Sequence, residues 1–494
     1  MGFNKMSEEM KIPEDVSQRV RSGLLTKEVD QRCLEEFKSL SKYVPSLEDF
    51  KAHIKQLNPR SAGGPSGLTY LLVQQWPDEI IEKIYEDLKR DWLEKKPSRL
   101  WSLKLLQTIP KKKEDPGLED LRPLMLLEVT RKIWVGLIMM RIGDFWRKWN
   151  LIDEAQHAYL KDKGTHTVLP QLLNCMEGAR DFKTSMFASS FDMSKAFDSI
   201  DRNFLIACLE RLYVPRDLAE QMVGLDDKER VFVKCPRNME IAERGIDALE
   251  KEGYNFKTMK GVGQGDKPSP LYWVAVMDTL LSALRKIPSS FRIQDLDGNT
   301  YPAEEMAFAD DLQSMEASAK ALQTKADVVS GWCQYTGIEI SKTKMRTFGT
   351  HWGVYKGNNP PLLIHGKEWE ATEVPMKMDG TMKSLGVKFD MHVDNQVQLR
   401  ECIETVKEKG DRILIANGRR RDKMLAVGVC LLTNIVYRSQ HCPRHLEEYE
   451  KLDIVGLVKK VAKLIKGFPR RLIFADKKDG GLGISDGEKK ENDA

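Results

Sequence analysis

The sequence predicts an α+β fold built from two or three subdomains, on three grounds. At 494 residues and 41% hydrophobic content the chain outgrows a single compact core. Its middle holds short apolar strands separated by basic or glycine-rich turns. Its last fifth holds three apolar segments of helical period, at residues 393–414, 423–436 and 446–466. Taken in order, residues 1–57 are charged, with helical periodicity over 31–43, and read as a helical N-terminal extension. The Gly/Pro cluster SAGGPSGL (61–68) breaks the chain before a helix-rich stretch, 72–95. Residues 103–127 read as apolar strand, basic loop and second strand, followed by an amphipathic helix over 129–149. Ser269 and Pro270 open a helix through residue 284, where proline suits the first turn. Residues 486–494 form a polar tail with a disordered composition, and no internal repeat is present.

Composition excludes several classes. Lys plus Arg number 78 against 74 Asp plus Glu, a net +4, so nucleic-acid contact has to come from local basic patches rather than a global field. The eight cysteines include no C-x-x-C pair and read as reduced thiols of an intracellular protein, nuclear or cytoplasmic. HCPRH (441–445) has one cysteine and no matching half-site, so no structural zinc is expected. The longest apolar stretch, 133–140, is far short of the roughly 20 residues of a membrane span. No secretory signal is read at the N-terminus, and Met6 stands where N-myristoylation wants Ser or Thr.

Two acidic segments carry the chemistry. FDMSKAFD (191–198) and FADD (308–311) each read as a short strand or turn able to deliver a carboxylate to a shared pair of metal ions, the core of two-metal phosphoryl and nucleotidyl transfer. Hard divalent cations held by oxygen ligands do most of that work, which makes Asp192 and Asp310 the candidate ligands. Asp311 shares or tunes the site, and the Met193 carbonyl completes a ligand set. Asp198 reads as a capping or structural carboxylate ahead of the next helix.

The order of motifs is more informative than any one. TIPKKK (108–113) and LRPLMLL (121–127) precede the first acidic segment. GVGQGDKPSP (261–270) lies between the two, and GIEISKTKM (337–345) and SLGVKFD (384–390) follow. This ordered set resembles the palm motifs of reverse transcriptases, most closely those of non-LTR (LINE-like) retrotransposons, over about residues 50–485. The resemblance implies a right-hand polymerase fold. Its fingers would span 58–185 and its palm, an antiparallel sheet plus helices, 186–390, with a fingers insertion between the first two palm motifs. A helical thumb would span 391–485. Further likenesses are SAGGPSGL to the segment opening the fingers, QHAYLKDKGTHT (156–167) to a Q-x-G-F element with Ala158 and Tyr159 in place of Gly-Phe, and FADKKDGGLGI (474–484) to a segment after the thumb.

Residue by residue, the resemblance implies the following roles. Phe197, five residues after Asp192, is a steric gate against a ribose 2′-hydroxyl and so selects dNTPs. Gln264 and Gly265 line the incoming nucleotide, glycine for close backbone approach. Gly263 and Pro268 depart from the commoner Pro and Leu. Arg122 and a lysine of the 111–113 run, Lys111 by alignment, clamp the triphosphate. Lys344 is a general acid toward the leaving pyrophosphate, with Lys342 as the competing choice. Leu385 and Gly386 match the primer grip. Arg419, Arg420, Arg421, Lys463 and Lys466 track duplex phosphates from the thumb.

The expected activity is therefore RNA-directed DNA polymerisation of retroelement origin, extending a primer 3′-hydroxyl. It would use two Mg2+ ions per site, with Mn2+ able to substitute. Its expected partners are dNTPs, an RNA template and a DNA or RNA primer, with no membrane. A separate endonuclease stays open, because no apurinic-type endonuclease is read before Ser61 and no C-C-H-C knuckle after Ile484. Two rival readings are a catalytically inactive RNA-binding scaffold of the same fold, against which the intact Asp192, Asp310 and Asp311 speak, and an RNA-dependent RNA polymerase, which Phe197 opposes.

Overall fold

The computed structural model describes residues 11–111, 117, 120–227, 229–295, 297–350, 360–377, 381–390, 393, 396–439, 453–465 and 467–475. Lys112, Lys113, Lys466, HCPRH and nearly all of the GGLG-containing segment lie outside them.

Two sheets organise the chain. In the first, Leu121–Leu127, Leu103–Pro110, Arg230–Val233 and Asn255–Phe256 lie side by side in that order. The first two form an antiparallel ribbon running from Lys104↔Leu127 to Pro110↔Leu121. Its inner end is buried and its tip around residues 108–111 is exposed, so Lys111 projects from a fixed stem. The other two strands come from the connection between the acidic motifs. The second sheet is built on Met186–Ser194, flanked on one side by Asp311–Glu316 with Met306–Phe308 beyond it. On the other side Glu339–Ile340 and Arg346–Thr350 pair with successive stretches of the same strand.

The helices Ser269–Leu284 and Ala319–Thr336 pack against each other beneath this sheet, joined by Trp332 Nε1 donating to Thr279 Oγ1 at 2.8 Å. The N-terminal segment is part of the same core. Helix Glu14–Gly23 buries Val16 and Val20 against both of these helices, and Ser17 Oγ pairs with Tyr335 OH. Its charged sequence hides this, because Glu14, Arg19 and Arg21 occupy only the outward side.

The helix predicted over 129–149 is Val129–Lys148, but it is not amphipathic. It is buried on most of its surface, with Arg131 and Lys132 inside. A buried arginine needs partners, and Arg131 has them. Its Nη2 meets Asp226 Oδ1 at 2.6 Å and Asp266 Oδ2 at 2.7 Å, and Nη1 donates to the Trp101 carbonyl at 2.7 Å. Lys104 reaches Asp226 at 2.9 Å and also pairs with Glu229, which Arg202 meets at 3.2 Å. Three carboxylates thus face three cations in a shared interior. Burial by itself would raise the Asp226 carboxyl, but Arg131 and Lys104 hold it below its ordinary value.

The expected thumb is a helical cluster. Gln396–Ile415, Arg420–Ala426, a π-helical turn Val427–Leu432, Thr433–Ser439 and Ile454–Val461 surround a core of Cys402, Val406, Val427, Leu431, Leu432, Ile435, Leu457 and Val458.

Removing one member of the interior charge cluster leaves the others uncompensated. Arg131→Met is therefore expected to lower unfolding free energy by about 3–5 kcal/mol, against under about 1 kcal/mol for Arg147→Ala, which breaks an exposed pair. Urea titration measures both, and similar small losses would show that the cluster is not a stabilising unit.

Candidate active site

The two acidic motifs meet by strand register. In the antiparallel pair of Met186–Ser194 with Asp311–Glu316, Asp192 stands opposite Asp311, a geometry that puts Cα atoms about 4.5–5.5 Å apart. Asp310 is one residue away, in the two-residue loop between Phe308 and Asp311, which are paired across the hairpin. The loop begins at Ala309, whose φ is +56°.

The three carboxylates share one electrostatic environment. Burial, then the charges of Asp310 and Asp192, push the Asp311 carboxyl up to about 6. Burial chiefly also raises Asp310, with Asp192 adding to it. Lys344 Nζ offsets this, lying 2.8 Å from Asp192 Oδ1 and 3.3 Å from Oδ2. The competing Lys342 is engaged elsewhere, donating to Thr372 Oγ1 at 2.7 Å. Among the described residues no group of three or more His, Cys, Asp and Glu side chains is placed to hold a metal ion by itself. Carboxylates whose charges raise the proton affinity of Asp310 and Asp311, and one of which attracts an ammonium group, fit a divalent cation. The Met193 backbone lies beside them, paired with Ile340.

Phe197 and the 261–270 loop are joined to each other. Phe197 lies on Trp273, ring centroids 5.9 Å apart, and its carbonyl accepts from Val262 N at 2.9 Å. Gln264 is fixed at both ends, its carbonyl taking the Met125 N–H at 2.8 Å and its Nε2 donating to Asp198 Oδ2 at 3.3 Å. Asp198 is therefore a partner of this loop, and the cap of helix Arg202–Arg211 is Asp201, which accepts from Phe204 N at 2.8 Å. The expected capping role belongs to Asp201 because it is the residue immediately before that helix. Gly265 has φ +105°, and a Cβ there would come within 2.9 Å of Leu124 Cδ1 and 3.0 Å of the Met125 carbonyl, so the position requires glycine.

Lys111 and Arg122 sit near the exposed tip of the ribbon, and the Lys111 charge is felt at Asp198. Leu385 (φ +48°) and Gly386 (φ +87°) form the tight turn between Thr381–Ser384 and Val387–Asp390. Tyr437 of the helical cluster donates to the Leu385 carbonyl at 2.8 Å, and Ser384 is tied to Gln313. Arg419, Arg420, Arg421 and Lys463 are all exposed, well separated in sequence from the carboxylates.

Two functional features escape sequence reading. One is the interior cluster that holds Asp266 of the 261–270 loop. The other is Gln156, fully buried against the hairpin that carries Asp310 and Asp311. Its only sequence signal is its place in QHAY.

The antiparallel sheet that brings Asp192 against Asp311, with helices packed beneath it, is the palm of a right-hand polymerase fold. Residues 109–389 match the family described as reverse transcriptase (RNA-dependent DNA polymerase), and the chain belongs to that family. It is similar to the Pol polyprotein of the type-1 retrotransposable element R2 of Nasonia vitripennis, 24% identical over 86% of this chain and 39% of that protein. A Drosophila melanogaster relative from the type-2 element R2DM is 24% identical over 90% and 40%. The chain thus spans about two fifths of the length of these relatives, and they are retrotransposon proteins, as the ordered motifs imply. Apo telomerase from Candida tropicalis superposes with a TM-score of 0.41 at 12% identity, over 77% of this chain and 68% of that one.

The raised Asp311 carboxyl gives a pH signature. Its folded-state value of about 6 lies above the ordinary 3.8, so between these values the folded chain binds more protons than the unfolded one. Stability without metal therefore falls as pH rises from about 4 to 6. Asp311→Asn is expected to be more stable than wild type by about 1–2 kcal/mol above pH 7, after discounting for partial exposure, and equal to it below pH 4. Urea unfolding in EDTA across this range measures the difference. A constant offset at every pH would refute it.

Proposed function

We infer that this chain is an RNA-directed DNA polymerase that extends a primer 3′-hydroxyl with dNTPs on an RNA template. Membership of the reverse transcriptase family supports the class, and one observation carries the finer reading. The register places Asp192 against Asp311 with Asp310 beside them, while Phe197 stands five residues on, backed by Trp273.

Asp192 and Asp310 would hold a pair of Mg2+ ions, with the Met193 carbonyl and Asp311 adjoining. When bound, such ions supply charge neutralisation at the attacking and leaving oxygens. The chain's own residues do the remainder. Arg122 offers a planar fork, and Lys111 a point charge, to the triphosphate. The Phe197 ring, held from behind by Trp273, excludes a 2′-hydroxyl by volume. Gly265 lets the backbone approach the nucleotide, and Gln264 is aimed by its Asp198 bond. Lys344, exposed and paired with Asp192, would give a proton to the departing pyrophosphate. The Leu385–Gly386 turn, clamped by Tyr437, would press on the primer end, and Arg419–Arg421 and Lys463 would meet duplex phosphates.

The test is primer extension on RNA with dNTPs or rNTPs. Wild type is expected to use dNTPs, and Asp310→Ala to lose at least about a hundredfold in rate. Phe197→Ala is expected to gain about tenfold in rNTP use relative to dNTP. No dNTP incorporation with Mg2+ or Mn2+ would favour the scaffold reading, and equal rNTP use by wild type would favour an RNA polymerase.

A further inference from the structure

The carboxylate-bearing hairpin Met306–Glu316 reverses through two residues, Ala309 and Asp310. Two-residue loops of this kind need positive φ at one or both positions and favour glycine, asparagine or aspartate there. Here the positive φ falls on Ala309, whose Cβ disfavours it. Something outside the hairpin must hold the turn, because neither its own residue types nor the three mutually repelling carboxylates do so.

Gln156 is the group in place. Its backbone runs alongside the hairpin as a parallel bridge to Ala307. The Ala307 N–H donates to the Ala155 carbonyl, and His157 N–H to the Ala307 carbonyl, each at 2.8 Å. Its side chain is 0% exposed, and Oε1 accepts two backbone N–H groups, from Ala158 at 2.9 Å and from Ala309 at 3.2 Å. Two donors converging on one atom fix that atom as the oxygen, since the amide NH2 accepts nothing. Nε2 has no partner among the described residues, so the side chain's orientation rests on those two bonds.

The support behind Gln156 is rigid. Asp153 N donates at 2.7 Å to Asp278 Oδ1, a side chain also bound by Arg211 and Lys27. Asp153 itself pairs with Arg285 at 2.6 Å. The segment is thereby anchored to the helix Ser269–Leu284, which begins at the nucleotide loop.

We propose that Gln156 is a positioning residue that pins the Ala309 turn and so aims Asp310 at its cation. It touches neither substrate nor metal. The proposal deepens the polymerase reading and rests on it, and hydrogen exchange gives it a readout of its own.

The test compares wild type, Gln156→Leu and Gln156→Leu/Ala309→Gly in the full chain. Exchange of the Ala309 amide, followed in the 306–312 peptide, is expected to speed up about tenfold or more in Gln156→Leu, for loss of one acceptor. Mn2+ affinity, read by electron paramagnetic resonance with primer–template and dNTP present, is expected to weaken about tenfold, and kcat to fall similarly. Primer–template affinity should stay within about twofold. Glycine adopts positive φ without strain, so Ala309→Gly should recover most of the Mn2+ affinity although the amide stays unprotected. Unchanged exchange in Gln156→Leu, or equal Mn2+ loss with and without Ala309→Gly, would overturn the proposal. If Gln156→Leu does not fold, Gln156→Asn carries the same comparison, because it keeps the amide but draws its oxygen back by one methylene. A wild-type chain with a protected Ala309 amide but no Mn2+ binding would defeat the polymerase reading, and the exchange result then decides the pin alone.

Discussion

The pairing register of Met186–Ser194 with Asp311–Glu316 is the constraint on which the site depends. Strand side chains alternate between faces, so a slip of one residue would turn Asp192 away from Asp311 and bury its carboxylate in the core. The register is held by that same core. Phe191 and Met193 are buried beside Asp192, and Leu312 beside Asp311, so apolar and acidic positions are sorted to opposite faces in one step. The flanking strands reinforce it, with Ser341 N–H donating to the Asp192 carbonyl at 2.8 Å.

A second constraint connects the fingers-like sheet to the loop that would bear the nucleotide. Asp266 belongs to that loop, Arg131 to the long buried helix, and Lys104 to the ribbon whose tip carries Lys111. Because these charges are buried together, moving one element without the others would leave an uncompensated ion in a low-dielectric interior. The Met125 N–H bond to Gln264 and the close approach of Gly265 to Leu124 add short-range contacts between the same elements. The ribbon stem and the loop therefore behave as one rigid part, and the exposed tip is where motion costs least.

What the sequence makes legible follows from the range of each interaction. Asp192, Phe197, Gln264, Gly265 and Asp310 lie in short motifs whose chemistry is local, and Gly265 declares its backbone requirement by its identity. The strand–loop–strand of 103–127 is equally readable, since both strands and their turn are contiguous. Arg131 is not, because a cation on a helix normally faces water, and its partners Asp226 and Asp266 lie 95 and 135 residues away. Gln156 is hidden for the same reason, since Ala309 lies 153 residues further along the chain. The N-terminal helix misleads in the opposite sense, as its charged face dominates the composition while two valines and a serine make its contacts with the palm helices.

Charge compensation then explains how a fold can carry three carboxylates so close together. Each would repel the others, and burial raises the cost of ionising Asp310 and Asp311. Two devices limit that cost. Asp311 accepts a proton far more readily than an exposed aspartate, and the Lys344 ammonium lies against Asp192 from the solvent side, on a side chain 67% exposed. Both are reversible and neither fills the site with rigid structure. A lysine this exposed gives up little by leaving, since an ion pair near water contributes at most about 1 kcal/mol. The carboxylates are thus held in place by backbone register and by Gln156, while their charge is balanced only loosely. That division would suit the proposed polymerase, in which divalent cations would take over the balance of charge.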